Sequence, residues 1–406
     1  MRNGGRPGAG APSHPGTAGE VFRVFLGLGL TSFGGPVAHL GYFRDTFVVR
    51  RGWLSERAYA DLVALCQFLP GPASSQVGMA IGLMRGGYPG MLAAWAAFTL
   101  PSAMILLAFA YGAGALEDAV GTGWIEGLKA AAVAVVAHAV LGMTRSLAPD
   151  RERALIAVAA MIGAMLVPVA AGQVLVIIVG GLIGLAWLRP AVGPAEEDEV
   201  LAAAVGRRAA WLALAAFFAL LVLLPVLASA TGGTMRLFDG FYRTGALVFG
   251  GGHVVLPLLQ AEIVETGLVG RDAFLAGYGA AQAVPGPLFT FAAYLGAVMQ
   301  APPSGVAGAA IALIAIFLPS ALLIIGGLPF WDRLRSAPLA QRALSGVNAA
   351  VVGLLAAALY DPVFTGGITS RMAMAIAAAA FVALLAWKAP AWAVVIAAGV
   401  AGSLLL

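Results

Sequence analysis

The sequence predicts an all-α polytopic membrane protein: two inverted-topology repeats with broken or re-entrant helices, joined by a linker and one extra transmembrane helix. Three observations carry this. Of 406 residues, 61% are hydrophobic and 10% charged, whereas a soluble domain uses roughly 25% charged residues to cover its wet surface. Apolar runs such as 91–116, 211–230 and 307–328 reach the ~20 residues that cross a hydrocarbon core. Gly/Pro punctuation also recurs in the same order in both halves. The apolar runs are rich in Gly and Ala and lack the period-two alternation of barrel strands, so the spans are helices.

The punctuation defines the repeats. Phe33-Gly34-Gly35-Pro36, Gly52-Trp53-Leu54, Ala58-Tyr59, Gln67 and Pro70-Gly71-Pro72 are followed much later by a co-linear set. That set is Phe249-Gly250-Gly251-Gly252, Gly267-Leu268-Val269, Ala273-Phe274, Gln282 and Pro285-Gly286-Pro287, and both halves then carry Leu-Pro-Ser-Ala, at 100–103 and 318–321. The chain thus divides into a Gly/Pro/Ser-rich tail (1–18), a first repeat (19–189), a charged linker with a connecting helix (190–235) and a second repeat (236–406). The tail lacks the apolar core of a signal peptide and is expected to be disordered.

Charge sets the orientation. Segment 44–57 holds Arg44, Arg50, Arg51 and Arg57 against Asp45 and Glu56, while its counterpart holds Glu262, Glu265 and Asp272 against Arg271. The next loop reverses the bias, with Glu117 and Asp118 in the first half and Arg333, Arg335 and Arg342 with Asp332 in the second. Because Lys and Arg collect on the cytoplasmic side, equivalent loops lie on opposite sides and the repeats are inverted, a device by which transporters build two access states. Counting agrees. Stretches 20–49 and 55–86 are each broken at their middle and read as hairpins with no net crossing; full spans follow near 88–115, 122–146, 152–170 and 172–188. After the acidic linker (Glu196, Glu197, Asp198, Glu199), one extra span near 208–230 makes the count odd and inverts the second half.

A broken membrane helix leaves backbone groups without water to bond, so breaks are tolerated where they line a cavity. A helix beginning after Pro70-Gly71-Pro72 presents free N–H groups and the positive end of its dipole; proline suits that first turn, and such an end receives anions. Ser74, Ser75 and Gln76 add donors there. After Pro285-Gly286-Pro287, Thr290 matches Ser75 but Leu288 and Phe289 are apolar, so the first half is expected to supply most polar contacts. Gly34, Gly35, Gly71, Gly250, Gly251 and Gly286 are the positions where backbone can approach an ion closely, with Pro36, Pro70, Pro72, Pro285 and Pro287 as the structural breaks. His39 and His253 follow the breaks; a membrane histidine serves as a proton relay or anion contact, or as a satisfied interhelical group. Asp61 is the acidic candidate for proton coupling, and equally a solvated charge near a helix start. His138 has no symmetric partner and reads as packing. Arg44 and Arg85 draw anions inward or simply set topology. Cys66, the single cysteine, excludes an internal disulfide and reads as packing.

No Gly-x4-Gly-Lys-Ser/Thr loop is present, which argues against ATP coupling within this chain. No cysteine, histidine and carboxylate set has metal spacing, no cofactor is implied, and nothing points to an enzyme. The net charge of +4 is topogenic rather than a nucleic-acid footprint.

The runs Phe33-Gly34-Gly35-Pro36-Val37-Ala38-His39-Leu40-Gly41, Arg50-Arg51-Gly52-Trp53-Leu54-Ser55-Glu56, Gln67-Phe68-Leu69-Pro70-Gly71-Pro72-Ala73-Ser74-Ser75-Gln76 and Phe98-Thr99-Leu100-Pro101-Ser102-Ala103 resemble the chromate ion transporter family. Phe249-Gly250-Gly251-Gly252-His253-Val254-Val255-Leu256-Pro257-Leu258-Leu259 and Ala283-Val284-Pro285-Gly286-Pro287 resemble its other repeat, so the likeness covers roughly residues 20–400, the long two-domain form. The resemblance implies a bacterial inner (plasma) membrane protein with a cytoplasmic N-terminus. It implies export of chromate coupled to proton antiport, giving chromate resistance, with sulfate as competitor. A sulfate or other oxyanion transporter and a passive channel are the alternatives. A homodimer is one assembly compatible with this pattern.

Overall fold

The computed structural model describes residues 16–167, 170–189, 205–249, 252–331, 334 and 337–406. The tail before residue 16, the linker acids 196–199, Gly250, Gly251, Asp332, Arg333 and Arg335 lie outside the described residues, as do the side chains of Glu117 and Asp118.

The first repeat opens with α1 (Ala18–Thr31), which begins at the last residue assigned to the tail because the Thr17 hydroxyl caps it, accepting from the Glu20 N–H at 3.1 Å. The chain breaks at 32–34 and restarts as α2 (Gly35–Phe43), with Pro36 in its first turn, and widens into i→i+5 turns over 44–50. Next comes α3 (Glu56–Phe68), capped by Ser55. After the break at 69–72, α4 (Ala73–Val120) runs to Gly86–Gly87, where non-helical dihedrals bend it. The chain doubles back there: a Cβ on Gly82 would stand 2.5 Å from the Gly90 carbonyl oxygen. Then follow α5 (Gly123–Leu147), α6 (Arg151–Leu166) and α7 (Ala170–Trp187).

The connecting helix α8 (Arg207–Thr231) leads to the second repeat. Its elements retrace the first: α9 (Gly233–Leu247), an arm over 252–264 containing α10 (Val255–Leu259) and ending in the same wide turns, then α11 (Arg271–Ala283). A tight turn (Leu288–Thr290) leads into α12 (Phe291–Ala297), then α13 (Gly305–Gly327), α14 (Pro338–Ala358), α15 (Arg371–Leu385) and α16 (Ala391–Leu405). The two helices α3 and α11 have 13 residues each, and the wide turns close the arm before each of them. The bent α4 corresponds to α12 and α13, which fold back on one another through Gly296 and Gly308 as the two limbs of α4 do through Gly82 and Gly90.

Among the described residues, five segments are long and apolar enough to span a membrane: Ala73–Ala113 (with its bend), Gly123–Leu147, Arg207–Thr231, Gly305–Phe330 and Pro338–Gly367. The chain is an all-α polytopic membrane protein. One expected span is corrected: that near 152–170 is α6, of 16 residues, about 24 Å at 1.5 Å per residue and short of the ~30 Å hydrocarbon core, whereas that near 172–188 is α7, of 18 residues. Pro168 falls between them in the sequence, and proline cannot continue a helix. A consecutive pair sharing one fate adds no net crossing or two, so the odd count that inverts the second half is unchanged.

The repeats interlock rather than sit side by side. α7 of the first packs on α14 of the second, and α16 of the second packs on α5 of the first. Small residues allow it, since membrane helices associate by close packing rather than by expulsion of water. Gly180 and Gly184 meet Gly346 backbone to backbone, and Gly127 meets Ala398. Lys129 of α5, 3% exposed, ties this interface by ion pairs to Glu126 (2.7 Å) and to Asp272 at the start of α11 (2.9 Å). α8 lies outermost: 22% of its apolar window is buried in protein, against 61% for α5, and Trp211, Leu212 and Val222 are exposed.

Close packing at Gly346 is testable. A Cβ there would lie 2.7 Å from the Gly184 Cα, so Gly346→Leu should lower stability in detergent by about 1–3 kcal/mol through overpacking. Gly112→Leu, with nothing within 4 Å of its Cβ, should change it by less than about 0.5 kcal/mol. Thermal unfolding followed by circular dichroism reads both.

Candidate functional site

The four breaks meet in two reciprocal pairs. The Gly71 N–H donates to the Val248 carbonyl at 2.7 Å, and the Gly286 N–H donates to the Ser32 carbonyl at 2.9 Å. Each Pro-Gly-Pro tip of one repeat therefore caps the broken first helix of the other, α9 and α1 respectively. This reciprocity is what a two-fold relation between the repeats requires. Ser32 and Val248 are the C-caps of α1 and α9, whose terminal carbonyls have no helical partner. Both glycines adopt positive φ, +126° and +98°, a region open to glycine without strain. Behind each stands the serine of the other repeat's Leu-Pro-Ser-Ala run. Ser320 Oγ packs against Gly71, and Ser102 Oγ would be 2.9 Å from a Cβ on Gly286. Pro36 lies against Gly252, closing the crossing on one flank.

The polar lining is lopsided. First-repeat Ser74, Ser75 and Gln76 are buried on the opening turn of α4, and Thr99 is buried further along it. Their second-repeat counterparts are Phe289, Thr290, Phe291 and Phe317, all buried. After Pro285-Gly286-Pro287 the chain makes one tight helical turn that runs into the seven-residue α12, and the Thr290 hydroxyl is spent on the Pro287 carbonyl at 2.8 Å. In the first repeat α4 starts at Ala73, and Gln76 Nε2 donates to the Pro70 carbonyl at 2.7 Å, holding the tip. Several buried polar atoms have no partner among the described residues: Ser32 Oγ, Ser75 Oγ, Gln76 Oε1, Thr99 Oγ1 and Ser320 Oγ. Buried polar groups are otherwise nearly always bonded, and an orphan hydroxyl beside a helix N-terminus is a donor available to an anion.

His39 joins this crossing and is 1% exposed. Its Nε2 lies 3.1 Å from the Ser32 carbonyl, the same oxygen that receives Gly286, and its Nδ1 lies 3.3 Å from Ser74 Oγ. Phe98 stands edge-on to the ring at 5.3 Å. His253 instead bonds Tyr278 of α11 at 2.8 Å; the two histidines are not equivalent, since Val255 occupies the place matching His39. Gly34 and Gly35 turn the chain at the first break, with φ of +104° and +79°.

Other candidates fall elsewhere. Asp61 sits in the second turn of α3, about 12 Å along the helix from the Pro70-Gly71-Pro72 break. Arg44 is paired with Glu56 at 2.5 Å, and Arg85 with Glu20 at 3.4 Å while lying over the Trp53 ring, so both are engaged as local ion pairs. His138, read as packing, is exposed on α5; the buried face of that helix lies over 127–136. Cys66 is buried. Two ion-pair sets escaped the sequence reading: that of Lys129, and the Asp239–Arg243–Glu262 group, in which half-buried Arg243 pairs with buried Asp239 at 2.5 Å and with Glu262 at 3.3 Å. Ser102 and Ser320 were legible as a repeated run, but nothing in one repeat showed that each serves the other.

A polytopic helical protein of two intertwined repeats, with broken helices meeting at a buried polar crossing, has the architecture of a membrane transporter. Family comparison makes the class specific. A sequence model of the chromate transporter family matches residues 19–185 and 235–403, and the chain belongs to that family. A chromate transport protein of Pseudomonas aeruginosa is 31% identical over 398 residues, covering 94% of this chain and 91% of that one. A probable chromate transport protein of Synechococcus elongatus is 28% identical, covering 84% and 83%, and an uncharacterized transporter of Methanocaldococcus jannaschii is 26% identical, covering 83% and 82%. No solved structure matches.

The crossing yields a stability test. Gly71→Ala places a Cβ against Ser320 Oγ and 2.6 Å from Gln76 Nε2, at a φ of +126°. It should lower stability by about 1–3 kcal/mol, and adding Ser320→Ala should restore part of the loss. Gly267→Ala, at φ +72° with nothing within 4 Å, lacks the steric part and should show no recovery with Ser320→Ala.

Proposed function

We propose that the chain carries chromate across the bacterial inner membrane, with the anion received at the crossing of the two breaks. The observation that carries this is the coincidence, at one buried place, of the reciprocal main-chain bonds and the unpartnered hydroxyls of Ser32, Ser75 and Ser320. A tetrahedral dianion needs convergent donors. Ser74, Ser75 and the N–H groups opening α4 offer them with no Lys or Arg in the set. Gly71 and Gly286 allow main chain to approach, as do Gly34 and Gly35 at the first break, which Gly250 and Gly251 match in the second repeat by sequence. Family membership, and relatives named for chromate transport, supply the identity of the anion. Sulfate, of the same shape and charge, competes in this reading.

Movement is by exchange between the two packings that inverted repeats permit, with the N-terminus cytoplasmic because the basic segment 44–57 lies on that side. Two driving forces fit outward transport. Antiport, which the family resemblance implies, requires that proton entry speed anion exit. Electrogenic exit requires that an inside-negative potential do so, at about 2.3 kcal/mol per charge per 100 mV. Uptake of labelled chromate into everted vesicles, with the pH gradient and the potential imposed separately, distinguishes them; transport indifferent to both indicates a passive channel.

Ser75→Ala should raise the half-saturating chromate concentration about tenfold by removing one donor to a charged ligand. Gly71→Leu should abolish uptake while the protein still inserts. Normal transport by Gly71→Leu would place the anion elsewhere.

A further inference from the structure

The Ser32 carbonyl oxygen can only accept, so His39 Nε2 carries the hydrogen of their 3.1 Å contact. In the neutral ring Nδ1 is then a lone pair, and its 3.3 Å contact with Ser74 Oγ is filled by the serine hydroxyl hydrogen. The Ser74 donor therefore points at histidine and away from any ligand. A proton arriving at Nδ1 reverses that bond. Nδ1–H now donates to Ser74 Oγ, and the hydroxyl hydrogen turns outward beside Ser75, whose own Oγ is buried and unpartnered. One covalent bond forms, Nδ1–H, from a proton supplied by solvent that stays on the imidazole; otherwise only these hydrogen bonds change.

We infer that His39 fixes the sign of proton coupling: its protonation releases the Ser74 hydroxyl to the anion and adds a positive charge beside it, so proton and oxyanion bind together. This rests on the chromate-transport reading above and deepens it. The surroundings favour the device. The groups facing the ring are the Ser32 carbonyl from α1, the Ser74 hydroxyl and the Phe98 ring from α4; none of them carries a charge. Of the titratable groups along this arm, Tyr59 donates to the Leu40 carbonyl at 2.6 Å and Arg44 is paired with Glu56. The symmetry provides an internal control. The second repeat keeps the crossing bond, Gly71 to Val248, with Val255 and Phe289 where the first has His39 and Ser74. The crossing thus needs no histidine for its structure, and the relay exists once per chain. One proton accompanies one dianion, leaving one net negative charge to move. An inside-negative potential still drives that charge outward, whereas antiport needs the opposite linkage, in which proton and anion exclude each other.

The test is proton exchange on binding, measured with the full-length protein in nanodiscs and chromate as the probe, from mildly acid to mildly alkaline pH. The protonation of free chromate is subtracted. The expected result is net proton uptake approaching roughly one per anion bound, with affinity tightening by up to about tenfold per pH unit as pH falls. His39→Gln should bind chromate with no uptake. Ser74→Ala should bind about tenfold more weakly yet still take up the proton, which keeps the inference testable should His39→Gln fail to fold. Wild-type protein that binds chromate with no exchange, or with proton release, overturns the inference and leaves chromate transport standing. Wild-type protein that neither binds nor carries chromate overturns both.

Discussion

The structure depends on a constraint of its solvent. In hydrocarbon, a carbonyl freed by a broken helix has no water to accept from, and an unbonded main-chain group there is strongly destabilising. This chain breaks four helical segments and satisfies two of the exposed ends with each other's loops: the carbonyls of Ser32 and Val248 receive the N–H groups of Gly286 and Gly71. His39 of the first repeat also reaches the Ser32 carbonyl, at 3.1 Å, but the main-chain donor to each broken end comes from the other repeat. The breaks must therefore lie together at the centre, and the spans must arrange themselves around them.

That arrangement also explains the asymmetry of the lining. Symmetry of the backbone is needed for the reciprocal bonds, but symmetry of the side chains is not. The first repeat has used its freedom for hydroxyls and an imidazole, Ser74, Ser75 and His39, and the second for Phe289, Phe291 and Phe317. In the proposed reading the hydroxyls of the first repeat receive the anion, and a hydrogen bond made in so dry a place is stronger than one in water. In this member of the chromate transporter family the two repeats thus keep one backbone pattern and differ in the side chains they bring to the crossing.

Much of this was legible in the amino-acid sequence because Gly and Pro are legible. Pro70-Gly71-Pro72 and Pro285-Gly286-Pro287 mark the tips directly, and the helices between punctuation marks follow from apolar length. What could not be read were relations between distant segments. Lys129 looks like a lone cation in an apolar run until α5 is set against α11 and Asp272 appears beside it. Ser320 looks like a helix-interior serine until Gly71 is packed on it. The length of α6 was overread by a few residues, since apolar composition continues beyond Leu166, where the helix ends. Asp61 attracted notice by chemistry alone; its place near the start of α3 is set by the Ser55 cap, which fixes where that helix begins and hence how far the carboxylate stands from the break.

The exchange of helices between the halves has a consequence for biogenesis. The glycine face of α7, Gly180 and Gly184, is completed only by Gly346, a residue synthesised more than a hundred positions later. During insertion the first half must wait in the bilayer with that groove open to lipid, and with the terminal carbonyl of α1 lacking the Gly286 N–H, until the ribosome delivers the remainder. Final compaction is then a single late event shared by the whole polypeptide. A protein severed in the linker would have to recover by reassembly of two pieces, neither of which reaches its native packing alone.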